Sequence, residues 1–114
     1  MDILEKEIES YFVRRCASAG ALAWKFVSPG RSGVPDRIVI IPGGRVVFVE
    51  LKAPGKKPRP LQKVTIAELR EAGCKVYVID SKEKVQEFIE SEVRTDGVRS
   101  APVSGGRDRE DRGS

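Results

Sequence analysis

Apolar residues return along the first twenty positions with the period of a helix. Leu4, Ile8, Phe12, Cys16 and Ala19 fall on one face, and Gly20 stops the run. An amphipathic helix is therefore predicted from Asp2 to Ala19. At about 100° per residue the apolar arc centres near Ile8, which puts Glu5 inside it and Glu9 at its edge. A carboxylate on an inward face requires a partner, because burying it unpaired is costly. An apolar run from Ala21 to Val27 follows, then Ser28-Pro29-Gly30-Arg31-Ser32-Gly33-Val34-Pro35, which reads as a strand followed by a loop.

Two β-branched runs, Arg37 to Ile41 and Arg45 to Leu51, flank Pro42-Gly43-Gly44 and predict a β-hairpin. Both are apolar at odd and even positions alike, as in Val46-Val47-Phe48-Val49, so the hairpin is expected at the centre of a sheet covered on both faces. Ala53 to Pro60 breaks the pattern with three prolines and three basic residues, an exposed and stiff loop. Pro60 suits the first turn of a second helix, Leu61, Thr65 and Leu69 continue one face, and Gly73 fits just past its end. Lys75 to Ile79 is a further strand, and Ser81 caps a last helix carrying Val85, Phe88 and Ile89. The order αβββαβα describes one α/β domain over residues 1–93. Residues 94–114, polar and rich in Gly, Ser, Arg and Asp, have little to bury and are expected to form a disordered tail without an assigned role.

The chain of 114 residues carries 21 Lys and Arg against 17 Asp and Glu, a net charge of +4. Where those charges lie changes the picture more than their sum. Residues 21–63 hold nine basic residues against two acids, a net of +7, and the remainder is acidic. Such a face attracts a polyphosphate backbone by Coulomb attraction and counterion release. The absence of histidine excludes Ser-His-Asp triads, His-ligated zinc and His-based general bases. Cys16 and Cys74 are too far apart in sequence to read as a metal pair, and both are expected to be small buried residues. No stretch suits a membrane span and the N-terminus lacks a basic leader, so a cytoplasmic protein is expected.

The candidate chemistry lies on the hairpin. If it turns about Gly43, opposed positions sum to 86, and Asp36 faces Glu50 on one side of the sheet. Lys52 projects from the same face, because strand side chains alternate. Like charges directly opposed are destabilising, and a divalent cation between them reverses the sign. Mg²⁺ prefers oxygen ligands and is commonly held by one or two carboxylates. Asp36 and Glu50 are thus read as metal ligands, joined by the backbone carbonyl of Leu51, with Lys52 orienting the attacking water and offsetting transition-state charge. Glu5 is the candidate for an added metal or water contact, and Gln62 for positioning the lysine or the water. Arg31, Lys56, Lys57, Arg59 and Lys63 are the candidate phosphate-binding residues.

These residues closely resemble the VRR-NUC branch of the PD-(D/E)XK nucleases. The resemblance rests on Gly33-Val34-Pro35-Asp36, on Phe48-Val49-Glu50-Leu51-Lys52-Ala53-Pro54-Gly55-Lys56-Lys57-Pro58-Arg59-Pro60, and on Gln62. It implies a restriction-endonuclease-like αβββαβ core with a mixed sheet, Mg²⁺ or Mn²⁺ dependence, and phosphodiester hydrolysis leaving a 5′-phosphate. It also implies roles for Asp36 and Glu50 as metal ligands, Lys52 as the catalytic lysine, Glu5 as the acid of the first helix and Gln62 as the motif glutamine. Stand-alone members act as homodimers on branched DNA, including four-way junctions, and that mode is the expectation here. A less selective or flap-directed nuclease and a non-catalytic nucleic-acid-binding module are the alternatives.

Overall fold

A computed structural model describes residues 3–94. The 94–114 tail falls outside the described residues except for its first member. The elements run α1 (Ile3–Ser18), β1 (Leu22–Lys25), β2 (Arg37–Ile41), β3 (Arg45–Leu51), α2 (Pro60–Glu71), β4 (Val76–Ile79) and α3 (Lys82–Phe88), which continues as a π-helical segment, Ile89–Arg94. This is the α/β order read from the sequence. The sheet is mixed, with strand order β1-β2-β3-β4; β1, β2 and β3 are antiparallel and β4 is parallel to β3.

Local chemistry fixes each boundary. Helix α1 ends where the Ala21 amide returns to the Cys16 carbonyl at 2.9 Å. The hairpin turns through Gly43 and Gly44 at φ 101° and 93°, a left-handed backbone that costs other residues strain. Pro60 opens α2, where its missing N–H removes no helical bond. The Ser81 hydroxyl accepts the Lys84 amide and starts α3.

The two faces of the sheet are covered unequally. Helices α1 and α3 lie on the face of the odd-numbered hairpin residues, where Ile8, Phe12 and Cys16 join Val39, Val47, Val49, Leu51, Val85 and Phe88 in the main core. Phe12 is fully buried, its ring centroid 5.5 Å from that of Phe88. On the other face α2 contacts β4, and Gln62, Thr65 and Ile66 are its buried residues. The β1 side of that face stays open, with Leu22 48%, Trp24 58% and Val46 49% exposed. The expectation of a hairpin covered on both sides is thus corrected. Its even-numbered positions are apolar without being buried throughout, a pattern that periodicity alone cannot distinguish from full burial.

The π-helical segment is held to the sheet by Glu92, which takes an ion pair from Arg45 at 2.9 Å and one from Lys75 at 3.0 Å, and accepts the Tyr77 hydroxyl. Burial alone would raise the Glu92 carboxyl, but these three donors outweigh it and hold it at about 2. The same environment pushes the Tyr77 phenol up to about 12. Because the folded-state pKa of Glu92 is depressed, its contribution is present above the ordinary glutamate range and is lost as pH falls toward 2. Glu92→Gln is expected to cost about 2 kcal/mol at neutral pH and much less in acid, measured by denaturant unfolding at both pH values.

Burial pushes the Cys16 thiol up to about 12, so it is an inert core residue, as expected from the sequence. Cys74 is only half-buried, which corrects the expectation of two buried thiols.

Candidate active site

The hairpin register runs from Arg37 opposite Val49 to Ile41 opposite Arg45, so opposed residues sum to 86. Continued by one position, that register sets Asp36 against Glu50, and the Asp36 carboxylate is close enough to act on Glu50 electrostatically. Asp36 lies just before β2 and does not continue the ladder through its backbone. Its side chain accepts the Leu51 amide at 2.8 Å instead, which ties the loop end of one strand to the exit of the other.

Glu50 is 1% exposed, and its two oxygens have different surroundings. Oε2 accepts the Gln62 amide at 2.7 Å and pairs with the Lys52 ammonium at 3.2 Å. Oε1 is buried and has no hydrogen-bond partner among the described residues. Lys52 Nζ also donates to Gln62 Oε1 at 2.8 Å, and the Arg59 backbone amide donates to the same oxygen at 2.9 Å. Two donors on Oε1 fix which way the Gln62 amide points, so its NH₂ must face Glu50. Gln62 therefore braces Lys52 and Glu50 together and is itself oriented by the end of the basic loop.

The electrostatics are those of a site with too little positive charge for its acids. Burial, then the neighbouring Asp36 carboxylate, raise the Glu50 pKa against the opposing pull of Lys52 and Gln62. Burial likewise raises Asp36, offset by the Leu51 amide, and Glu9 adds to the rise. Among the described residues no three Asp, Glu, His or Cys side chains form a cluster that could hold a metal. Any cation here would rest on two carboxylates plus backbone oxygen and water. The residues fit one: hard oxygen donors, a buried carboxylate oxygen without a partner, and two acids held above their ordinary range.

Glu9 reaches the hairpin from α1, with Oε2 2.9 Å from Arg37 Nη2, while Arg37 Nη1 donates to the Ala23 carbonyl at 3.0 Å. Sequence reasoning placed Glu9 at the edge of the apolar arc and favoured Glu5. Glu5 is half-buried one helical turn earlier. The Glu9–Arg37 brace depends on how α1 crosses β2, which periodicity does not encode.

The candidate phosphate-binding residues divide into two groups. Lys56, Lys57, Arg59 and Lys63 are exposed along the loop and the first turn of α2. Arg31 is also exposed but engaged, pairing with Glu68 at 2.6 Å and donating to the Thr65 hydroxyl at 3.2 Å. Thr65 in turn donates to the Ser32 carbonyl at 3.1 Å. A Cβ on Gly33 would sit 3.0 Å from the Leu61 carbonyl oxygen, and φ there is +80°. This close approach docks the loop leading to Asp36 onto α2. It is a packing role for Gly33 and Arg31 that sequence reasoning missed.

Comparisons with known proteins place the chain in a family. Residues 3–83 match the family described as VRR-NUC domain. The protein named "Putative nuclease p44" of Acyrthosiphon pisum secondary endosymbiont phage 1 is 49% identical over 81 residues, which cover 71% of this chain and 87% of that protein. A solved structure titled "VRR_NUC domain" superposes with a TM-score of 0.74 at 35% identity, covering 80% of this chain and 99% of that one.

Proposed function

The chain belongs to the VRR-NUC domain family, and from that premise we propose that it is a metal-dependent endonuclease acting on branched DNA, with Asp36, Glu50 and Lys52 at its centre. The observation that carries the metal dependence is the buried Oε1 of Glu50, without a hydrogen-bond partner among the described residues, at the end of the ladder where Asp36 precedes β2. A Mg²⁺ or Mn²⁺ ion held there by Asp36, Glu50 and the Leu51 carbonyl would activate water and neutralise phosphate charge. Glu5 is retained as an added metal or water contact, and Glu9 as the electrostatic neighbour of Asp36.

The rest of the work falls to the chain's own side chains. Lys52, held by Glu50 and Gln62, places a positive charge where phosphorane charge develops. Gln62 holds that ammonium and Glu50 in fixed relation, so little reorganisation is needed during reaction. Lys56, Lys57, Arg59 and Lys63 bind backbone phosphate beside the site, with Arg31 as a further contact when DNA competes for its pairing with Glu68. Replacing Lys56, Lys57 and Arg59 by alanine should weaken DNA binding and flatten its salt dependence by about three units of slope. Binding measured across a salt series checks this.

Branched DNA calls for two coordinated cuts, and a homodimer supplies two sites. Support for pairing is the apolar face left open by α2, with Leu22, Trp24 and Val46 about half exposed on strands β1 and β3. Trp24 is the chain's single tryptophan, so its emission should shift to shorter wavelength as protein concentration rises, and Trp24→Glu should sediment as a monomer. The proposed setting is the cytoplasm of a bacterium or phage-infected cell, consistent with two free cysteines. Among the described residues no helix is long and apolar enough to cross a membrane.

The deciding assay incubates labelled duplex, flap and four-way junctions with Mg²⁺, Mn²⁺ or chelator. Junction cleavage that stops in chelator is expected. Equal cutting of all three substrates would favour the less selective nuclease, and binding without cutting under any metal would favour a non-catalytic module.

A further inference from the structure

We propose that Pro35 is a positioning residue for the cation, acting through the hydrogen bond that it does not make. The proposal rests on the reading of Asp36 and Glu50 as a metal site.

Backbone polarity alternates along both hairpin strands, and three hydrogen bonds fix its phase. The Phe48 amide donates to Lys75 and the Lys52 amide to Ile79, both at 2.9 Å, so even-numbered residues of β3 turn their backbone groups toward β4. The odd residues, Leu51 among them, turn theirs toward β2. On β2 the Asp36 carbonyl faces β1, accepting the Phe26 amide at 2.9 Å, so odd residues there face β3. Arg37 opposite Val49 is therefore a hydrogen-bonded pair, and the next such pair would set residue 35 against Leu51.

At that position an ordinary residue would donate its N–H to the Leu51 carbonyl and accept the Leu51 amide. Position 35 is a fully buried proline and has no N–H. The Leu51 amide goes instead to Asp36 Oδ2. The ladder is thus cut one rung early. The Leu51 carbonyl, still aimed at the Asp36 side of the sheet, receives no N–H from position 35 and is open to another partner. The unpartnered Oε1 of Glu50 belongs to the adjoining residue of the same strand. Pro35 converts the last rung of the hairpin from a backbone pair into part of an oxygen-donor site. A buried carbonyl that loses its ladder donor is costly unless another partner takes its place, and a cation supplies one.

The test separates the missing N–H from the ring. Mn²⁺ affinity is measured by calorimetry, without DNA, for the wild type, for Pro35→Ala, and for a chain carrying lactic acid at position 35. Lactic acid is the ester analogue of alanine, with the same methyl group and no N–H. Pro35→Ala should bind Mn²⁺ about tenfold more weakly, as befits loss of a group that shapes a metal ligand. The ester chain should return to within about twofold of the wild type. Equal affinity in all three, or equal weakness in the alanine and ester chains, would overturn the proposal.

A measurement on the wild type alone guards against a variant that does not fold. The Leu51 carbonyl carbon, read through the Lys52 amide by NMR, should shift when Mg²⁺ is added. A stationary resonance at saturating Mg²⁺ would overturn the proposal. Absence of any cation binding by the wild type would instead overturn the underlying metal reading.

Discussion

Glu50→Gln is expected to abolish cleavage, by about a thousandfold or more, while making the metal-free protein more stable rather than less. The loss follows from removing one of two carboxylates for the cation, whose contribution is several kcal/mol of transition-state stabilisation. The gain follows from what surrounds Glu50. Its pKa is raised by burial and by Asp36, so the fold disfavours the charged form. The sign is that of a raised folded-state value. The fold binds this proton more tightly than the unfolded chain does, and the acid pair penalises folding as pH climbs above the ordinary glutamate range. A glutamine keeps an oxygen for Lys52 and Gln62, puts an NH₂ where Oε1 lacks a partner among the described residues, and removes the repulsion with Asp36. A gain of about 1 kcal/mol is expected, the usual trade between stability and function at a strained polar site. Thermal unfolding in chelator reads it. Mg²⁺ should raise the melting temperature of the wild type and leave the variant unmoved.

Lys52→Ala should lower the turnover rate by about 10²–10³-fold with little change in DNA affinity. Lys52 is half-buried and shares its charge between Glu50 and Gln62, so it serves the site more than the substrate-binding surface. Without it Glu50 loses its nearest cation, and its raised pKa should rise further. The pH profile of the residual activity should therefore shift to higher pH. Single-turnover kinetics across pH, alongside binding at fixed salt, distinguish this from a general loss of fold. Wild-type activity in the variant would remove Lys52 from the mechanism.

How much of this was legible in the sequence depended on whether the signal was local. The hairpin was, because Gly43 and Gly44 permit only a tight turn and a turn centre fixes the register of every opposed pair. That register alone set Asp36 against Glu50. The Gln62 brace was partly legible: its place in the first turn of α2 follows from Pro60, but its contacts with Lys52 and Glu50 depend on how the basic loop closes. What failed was tertiary. The open face of Leu22, Trp24 and Val46 carries the same apolar residues as a covered one, so only the lateral placement of α2 distinguishes them. The Glu9–Arg37 ion pair had no signal in the sequence, because it depends on the line on which α1 crosses the sheet. The pairing of Arg31 with Glu68, far along the chain, likewise has no local signal.

The central claim is that Asp36 and Glu50 hold a divalent cation, and calorimetric titration of Mn²⁺ into the protein without DNA tests it most directly. Saturable binding by the wild type that is lost in Glu50→Gln, with both chains folded, is the predicted result. Mn²⁺ bound equally by both chains, or by neither, would contradict it.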